Sequence, residues 1–168
     1  MAVNKPLDTE DKTAYCKYGE KMETIFCLEV APLYGLEANI NPEKENNKYA
    51  VDLIVEDFLV DLKTVREPFF TAGKYKKNPS TCITINKKDI DHYKGRDIYI
   101  FFWVKWDSQE RFGVRVSALD GVWCGHINKI IGLCTTLHEY KNRKNDTSGN
   151  GKSSYIIDTD DLKRLNKK

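Results

Sequence analysis

The stretch YAVDLIVEDFLVDLKTV, Tyr49 to Val65, carries three side chains whose types and spacing could do chemistry together: Asp52, Asp61 and Lys63. Two runs of apolar β-formers flank Glu56-Asp57, and each run holds an acid where a core residue would be expected. If the connecting loop is Glu56-Asp57, or the longer Val55 to Phe58, Asp52 falls opposite Asp61. Lys63 then shares their face, because side chains alternate along a strand with period two. Cross-strand neighbours sit about 4.5–5.5 Å apart at Cβ, so two ionised carboxylates would repel by roughly 3 kcal/mol at an effective dielectric near 20. A divalent cation turns that repulsion into coordination, and Mg²⁺ in particular takes one or two carboxylates while keeping several waters. Such an ion lowers the pKa of a bound water and stabilises charge on a phosphoryl oxygen, and a lysine beside it can neutralise the transition state. The pattern acid-x-Lys also occurs at Glu10-Asp11-Lys12, Glu139-Tyr140-Lys141 and Asp161-Leu162-Lys163, where it reads as solvated charge. Only Asp61-Leu62-Lys63 lies inside an expected strand with an acid opposite. The competing reading of the same residues is an exposed sheet face held by salt bridges.

These side chains need elements to hold them. Tyr15, Tyr18, Met22, Ile25, Phe26 and Glu29 recur at helical spacing, which predicts an amphipathic helix from about Asp11 to Val30, ended near Pro32. The hairpin follows as Tyr49–Val55 and Phe58–Arg66, then a loop, REPFFTAGKYKKNPS, and a short strand, TCITI. Asn86, with Asp89 three residues on, opens a short helix that Gly95 closes. DIYIFFWVKW reads as a well-buried strand and RFGVRVSAL as its neighbour. A second long helix is predicted from about Gly125 to Lys141, a mobile basic loop over 141–154, a short strand YIID, and a terminal helix TDDLKRL. Helices flanking a central mixed β-sheet make an α/β or α+β fold. With 168 residues, 40% of them hydrophobic, the chain is long enough to bury the core of a single domain, with 1–10 and 164–168 as flexible tails.

Bulk properties exclude some function classes. The 27 Lys plus Arg nearly balance the 25 Asp plus Glu, so overall charge selects no polyanionic partner and local arrangement must decide. No apolar run reaches the length of a membrane span, and MAVNKPLDTEDK lacks the apolar core of a signal peptide. No membrane partner and a cytoplasmic location are therefore expected. The Asn- and Lys-rich composition suits a bacterial or phage-infected host cell. Five cysteines without a C-x-x-C pair read as reduced thiols buried as small hydrophobes rather than as a zinc or iron–sulfur site.

In order and spacing the residues resemble the PD-(D/E)XK nuclease superfamily, and within it the Holliday-junction-resolvase-like and restriction-endonuclease-like members. Gly19 and Glu23 in YGEKMETIF, Gly35 in LYGLEAN, Asp52 in AVDLIV, and Asp61 with Lys63 in LVDLKT stand in the family's sequence of motifs over about Gly19 to Thr64. The resemblance implies a single restriction-endonuclease-like domain over 1–168. It further implies Asp52 and Asp61 as Mg²⁺ ligands (Mn²⁺ substituting), Lys63 as catalytic lysine, and Glu23 as an additional acid on the metal. Glu20, one turn earlier, competes with Glu23 for that role. Val51 replaces the proline common before the first Asp, and the second acid is Asp rather than Glu, which shortens its reach by one methylene.

DNA is the expected partner. Lys74, Lys76 and Lys77 interleave with Tyr75 after the strand bearing Lys63, with Thr64 and Arg66 between, a pattern that can pair phosphate contacts with an aromatic platform. The function expected is a Mg²⁺-dependent endodeoxyribonuclease. Cutting both strands usually needs two sites, which makes a homodimer a natural arrangement. A non-catalytic nucleic-acid-binding or protein-interaction module on a nuclease-like scaffold is the alternative.

Overall fold

The computed structural model describes residues 12–140 and 153–168. The tail at 1–10 and most of the basic loop at 141–154 lie outside the described residues. The chain is mixed α/β, with β-sheet and a few short helices, and it divides into two compact units, Met1–Val60 with Asn166–Lys168, and Asp61–Leu165.

In the first unit, helix α1 (Lys12–Ile25) runs into a wider π-helical turn, Phe26–Val30, and then a 3₁₀ turn, Ala31–Tyr34. Phe26, Ala31 and Tyr34 are buried along this path. The helical path ends at Tyr34, near Pro32 as the sequence suggests. Pro32 is the second residue of this new turn, within the first turn where proline forfeits no hydrogen bond of that turn. Gly35 ends it in the left-handed region (φ 68°), its amide donating to the Pro32 carbonyl at 3.0 Å.

Strand β1 (Ala38–Ile40) pairs antiparallel with β2 (Leu53–Val55), which in turn pairs with the start of β3 (Phe58–Val65). The hairpin register is Leu53↔Val60, Ile54↔Leu59 and Val55↔Phe58, which is the register a two-residue Glu56-Asp57 turn requires. Glu56 takes the positive φ (53°) such a turn demands. Its amide donates to the Glu37 carbonyl at 2.8 Å, and its carboxylate accepts from the Glu37 amide at 3.1 Å. Val51, Leu53, Val55 and Val60 are buried, so the apolar positions of the hairpin build core as the sequence pattern suggests. At the chain's end, the Lys168 amide donates to the Leu33 carbonyl.

In the second unit the remaining residues of β3 begin the order β3-β5-β8-β11. Strand β4 (Cys82–Asn86) precedes helix α2 (Lys87–Tyr93), and β5 (Tyr99–Trp106) pairs antiparallel along its whole length with β8 (Leu119–His126). Ile100, Phe101, Phe102, Val104 and Trp106 are all buried, which accounts for the continuous apolar run of β5. A small hairpin, β6 (Gln109–Arg111) and β7 (Val114–Val116), turns at Phe112-Gly113, both with positive φ. Helix α3 (Ile127–Leu133) leads to β9 (Leu137–Glu139), then β10 (Ser153–Asp158) and β11 (Lys163–Arg164). A second antiparallel sheet has the order β4-β10-β9.

Three sequence expectations fail here. The helix expected from Gly125 to Lys141 is short: β8 runs to His126, α3 ends at Leu133, and Leu137–Glu139 pairs with Ser153–Tyr155 as a strand. The terminal TDDLKRL is a 3₁₀ turn, Thr159–Asp161, capped by the Asp158 carboxylate, followed by Lys163 and Arg164 paired to Cys124 and Trp123. RFGVRVSAL is split between the β6–β7 hairpin and the start of β8. In the first two cases long-range strand pairing outweighs local periodicity. The stretch expected as a loop before Ser80 also contains a 3₁₀ turn, Phe70–Tyr75. Among the described residues, no helix is long and apolar enough to cross a membrane.

Candidate functional site

The first unit brings Glu23 and Asp52 to one cation. Asn41 and Pro42 start a 3₁₀ turn, Pro42–Glu45, in which the Asn41 side chain accepts from the Glu43 amide. The same buried Asn41 donates through Nδ2 to the Val51 carbonyl at 3.0 Å and through its amide to the Asp52 carbonyl at 3.0 Å. The turn is thereby fixed to the backbone that carries Asp52, and from it Lys44 reaches both acids. Its Nζ lies 2.6 Å from Glu23 Oε2 and 3.1 Å from Asp52 Oδ1. Burial disfavours the ammonium, but the hydrogen bonds and charges of Glu23 and Asp52 outweigh it and raise the Lys44 pKa. Glu23 is buried on α1 one turn before the fully buried Phe26. Glu20 is exposed and offers its carbonyl to the Thr24 hydroxyl. Of these two glutamates, therefore, Glu23 belongs to the cluster.

The second unit holds Asp61 and Lys63. Both stand on β3 two residues apart, and their same-face placement shows as an ion pair of 2.9 Å between Lys63 Nζ and Asp61 Oδ2. Helix α2 adds two residues one turn apart. Asp89 accepts from Lys63 at 2.7 Å, and the Tyr93 hydroxyl donates to Asp61 Oδ1 at 2.8 Å. Asp61 is 3% exposed. Burial opposes the charge on Lys63, yet the Asp61 and Asp89 carboxylates overcome it and push its pKa above the ordinary lysine range. Such a lysine stays protonated through neutral pH. As an ammonium it can stabilise negative charge.

The residues expected to meet DNA have varied surroundings. Arg66 stacks its guanidinium 4.1 Å from the Trp103 ring centre and donates to the carbonyls of Val65 and Trp103. Thr64 is half-buried on β3. Lys74 and Lys76 are exposed, and Lys74 Nζ lies 5.7 Å from the Tyr75 ring centre. Lys77 is half-buried, and its amide donates to the Ala72 carbonyl. The Tyr75 hydroxyl is 2.6 Å from His138 Nδ1, and His138 also meets Phe69 and Tyr140 edge to face. Burial, reinforced by Lys74, lowers the His138 pKa.

Lys44, Asp89 and Tyr93 are absent from the site residues expected from the sequence. Nothing in PEKEN marks Lys44, whereas the Asp89/Tyr93 spacing on a short helix after a strand was a readable sign of two groups on one face. Among the described residues no group of three or more His, Cys, Asp or Glu is placed to hold a metal ion. The donor chemistry of Glu23 and Asp52, two hard carboxylates aimed at one cation, does suit Mg²⁺. Comparison with family models, with curated proteins and with solved structures finds no match.

Proposed function

We propose that the chain is a Mg²⁺-dependent endonuclease that hydrolyses DNA phosphodiesters, in the manner of the PD-(D/E)XK nucleases its motifs resemble. The observation that carries this reading is the convergence of Glu23 and Asp52, far apart in sequence, on a single cation position. Asp61, two residues before Lys63 on β3, is the further acid that the resemblance implies. A bound Mg²⁺ would supply an activated water and charge stabilisation at the phosphoryl group. Glu23 and Asp52 would hold it. Lys63, paired with Asp61 and Asp89, would neutralise negative charge developing on the phosphate. Asp89 and Tyr93 orient Lys63 and Asp61. Lys74, Lys76, Lys77 and Tyr75, with Thr64 and Arg66 nearby in sequence, are the proposed DNA contacts, and a cytoplasmic homodimer is the form proposed for double-strand cutting.

The test is cleavage of linear, supercoiled and four-way-junction DNA with Mg²⁺ or Mn²⁺, run beside Asp61→Asn and Glu23→Gln. Loss of cleavage in both variants supports the assignment, and cleavage at the unsubstituted rate in either removes that residue from the site. One observation favours the non-catalytic alternative: in both clusters the acids already have a lysine partner, so neither needs a metal to be satisfied. No cleavage and no metal-induced rise in Tm at millimolar Mg²⁺ would establish that alternative.

A further inference from the structure

Resting on that reading of Glu23 and Asp52, we infer that Lys44 is a tethered stand-in cation, occupying the metal position and having to be displaced before a divalent ion binds. Three observations lead there. The Lys44 ammonium is within hydrogen-bond distance of an oxygen from each acid, which is the point a shared metal would take. The turn bearing Lys44 is built for the purpose: Asn41 caps it, bonds the Val51 and Asp52 carbonyls, and so fixes the lysine's origin relative to Asp52. The contacts are also those of an ammonium. The two oxygens stand at 2.6 and 3.1 Å from Nζ, whereas Mg²⁺ binds oxygen at about 2.0–2.1 Å.

The lysine side chain is a quarter exposed, and its flexible four-carbon stem can swing the ammonium into solvent while the turn stays in place. Lysine-in and metal-bound states then exclude each other. Apparent metal affinity falls by the fraction of molecules with the lysine out. In the metal-free state Lys44 offsets the repulsion between the two acids, so its removal exchanges stability for affinity.

The experiment is calorimetric titration of Mn²⁺ and Mg²⁺ into the full chain and into Lys44→Met, with Tm measured with and without metal. The expected result is metal binding roughly tenfold or more tighter in Lys44→Met, if the lysine-in state holds nine-tenths of the molecules. A lower metal-free Tm that metal restores should accompany it. Equal affinity in the two proteins would overturn the displacement while leaving the metal site standing. Binding by neither, with Glu23→Gln also silent, would overturn both the displacement and the metal reading. Should Lys44→Met fail to fold, the side-chain ammonium resonance of the unsubstituted protein, assigned with Lys44→Arg, decides the matter. It should be protected from solvent exchange without metal and lose that protection on adding Mg²⁺, and an unchanged signal at saturating metal would overturn the proposal.

Discussion

Tyr93 gives its phenolic proton to Oδ1 of Asp61 at 2.8 Å, from the same short helix that presents Asp89 to Lys63. Both partners of that bond are buried. Tyr93→Phe keeps the ring and deletes the donor, so the Asp61 carboxylate loses a hydrogen bond that water cannot readily replace. Stability should fall by about 1–3 kcal/mol, read from urea denaturation midpoints. An unchanged midpoint would mean that the bond contributes nothing net.

Removing Lys63 is a different perturbation from removing Asp61. Lys63→Ala leaves a buried carboxylate facing Asp89 without its cation, and should cost toward the lower end of about 3–5 kcal/mol because Lys63 is itself partly exposed. Asp61→Asn removes charge from the buried position and should cost less. The double variant Asp61→Asn with Lys63→Met should be more stable than Lys63→Ala alone. The reverse order would show that the ion pair does not govern this locus.

His138 has a depressed pKa, so the unfolded chain takes up a proton at a higher pH than the folded one. Stability should therefore be fully present above the ordinary histidine pKa and decline as pH falls through it. His138→Asn should flatten the profile in that window. An equally steep acid limb in the variant would assign the effect to other groups.

The cysteines provide a test of burial. Burial, with a contribution from Asp158, raises the Cys82 thiol to about 11, and burial raises Cys134 to about 11, whereas Cys16 is exposed on α1. Iodoacetamide at neutral pH should label Cys16 first in the native protein and reach Cys82 only after denaturant is added. Early modification of Cys82 would contradict its placement in the cluster with Ala72 and Ile156.

Gly35 sits at φ 68°, and a Cβ there would approach the Lys168 side chain. That side chain can move, so the cost of Gly35→Ala should be set by the backbone, about 1–2 kcal/mol. Gly35→Asn should cost less, since asparagine tolerates the left-handed region. Equal losses in thermal melts would point instead to side-chain crowding.

What the sequence revealed follows the range of the interactions concerned. The 49–65 hairpin was legible because its register depends on alternation and a two-residue turn, both local, and the observed pairs follow them. Asp61 and Lys63 were legible on one face for the same reason, and the ion pair between them results. Leu137–Glu139 was read as helix because its strand character comes from Ser153–Tyr155, which local periodicity cannot register. Lys44 was missed for a related reason: a lysine in a polar turn looks solvated until the fold brings Glu23 and Asp52 around it. The five thiols were expected to be buried, and Cys82 is, but Cys16 lies exposed on the helix.

Two carboxylates meet one ammonium at Lys44, and two meet one at Lys63. At each locus carboxylates outnumber the ammonium they share, and divalent ions that accompany a phosphate chain would ease its approach. Chelation should then weaken the first encounter with a polyanion, before any bond is broken.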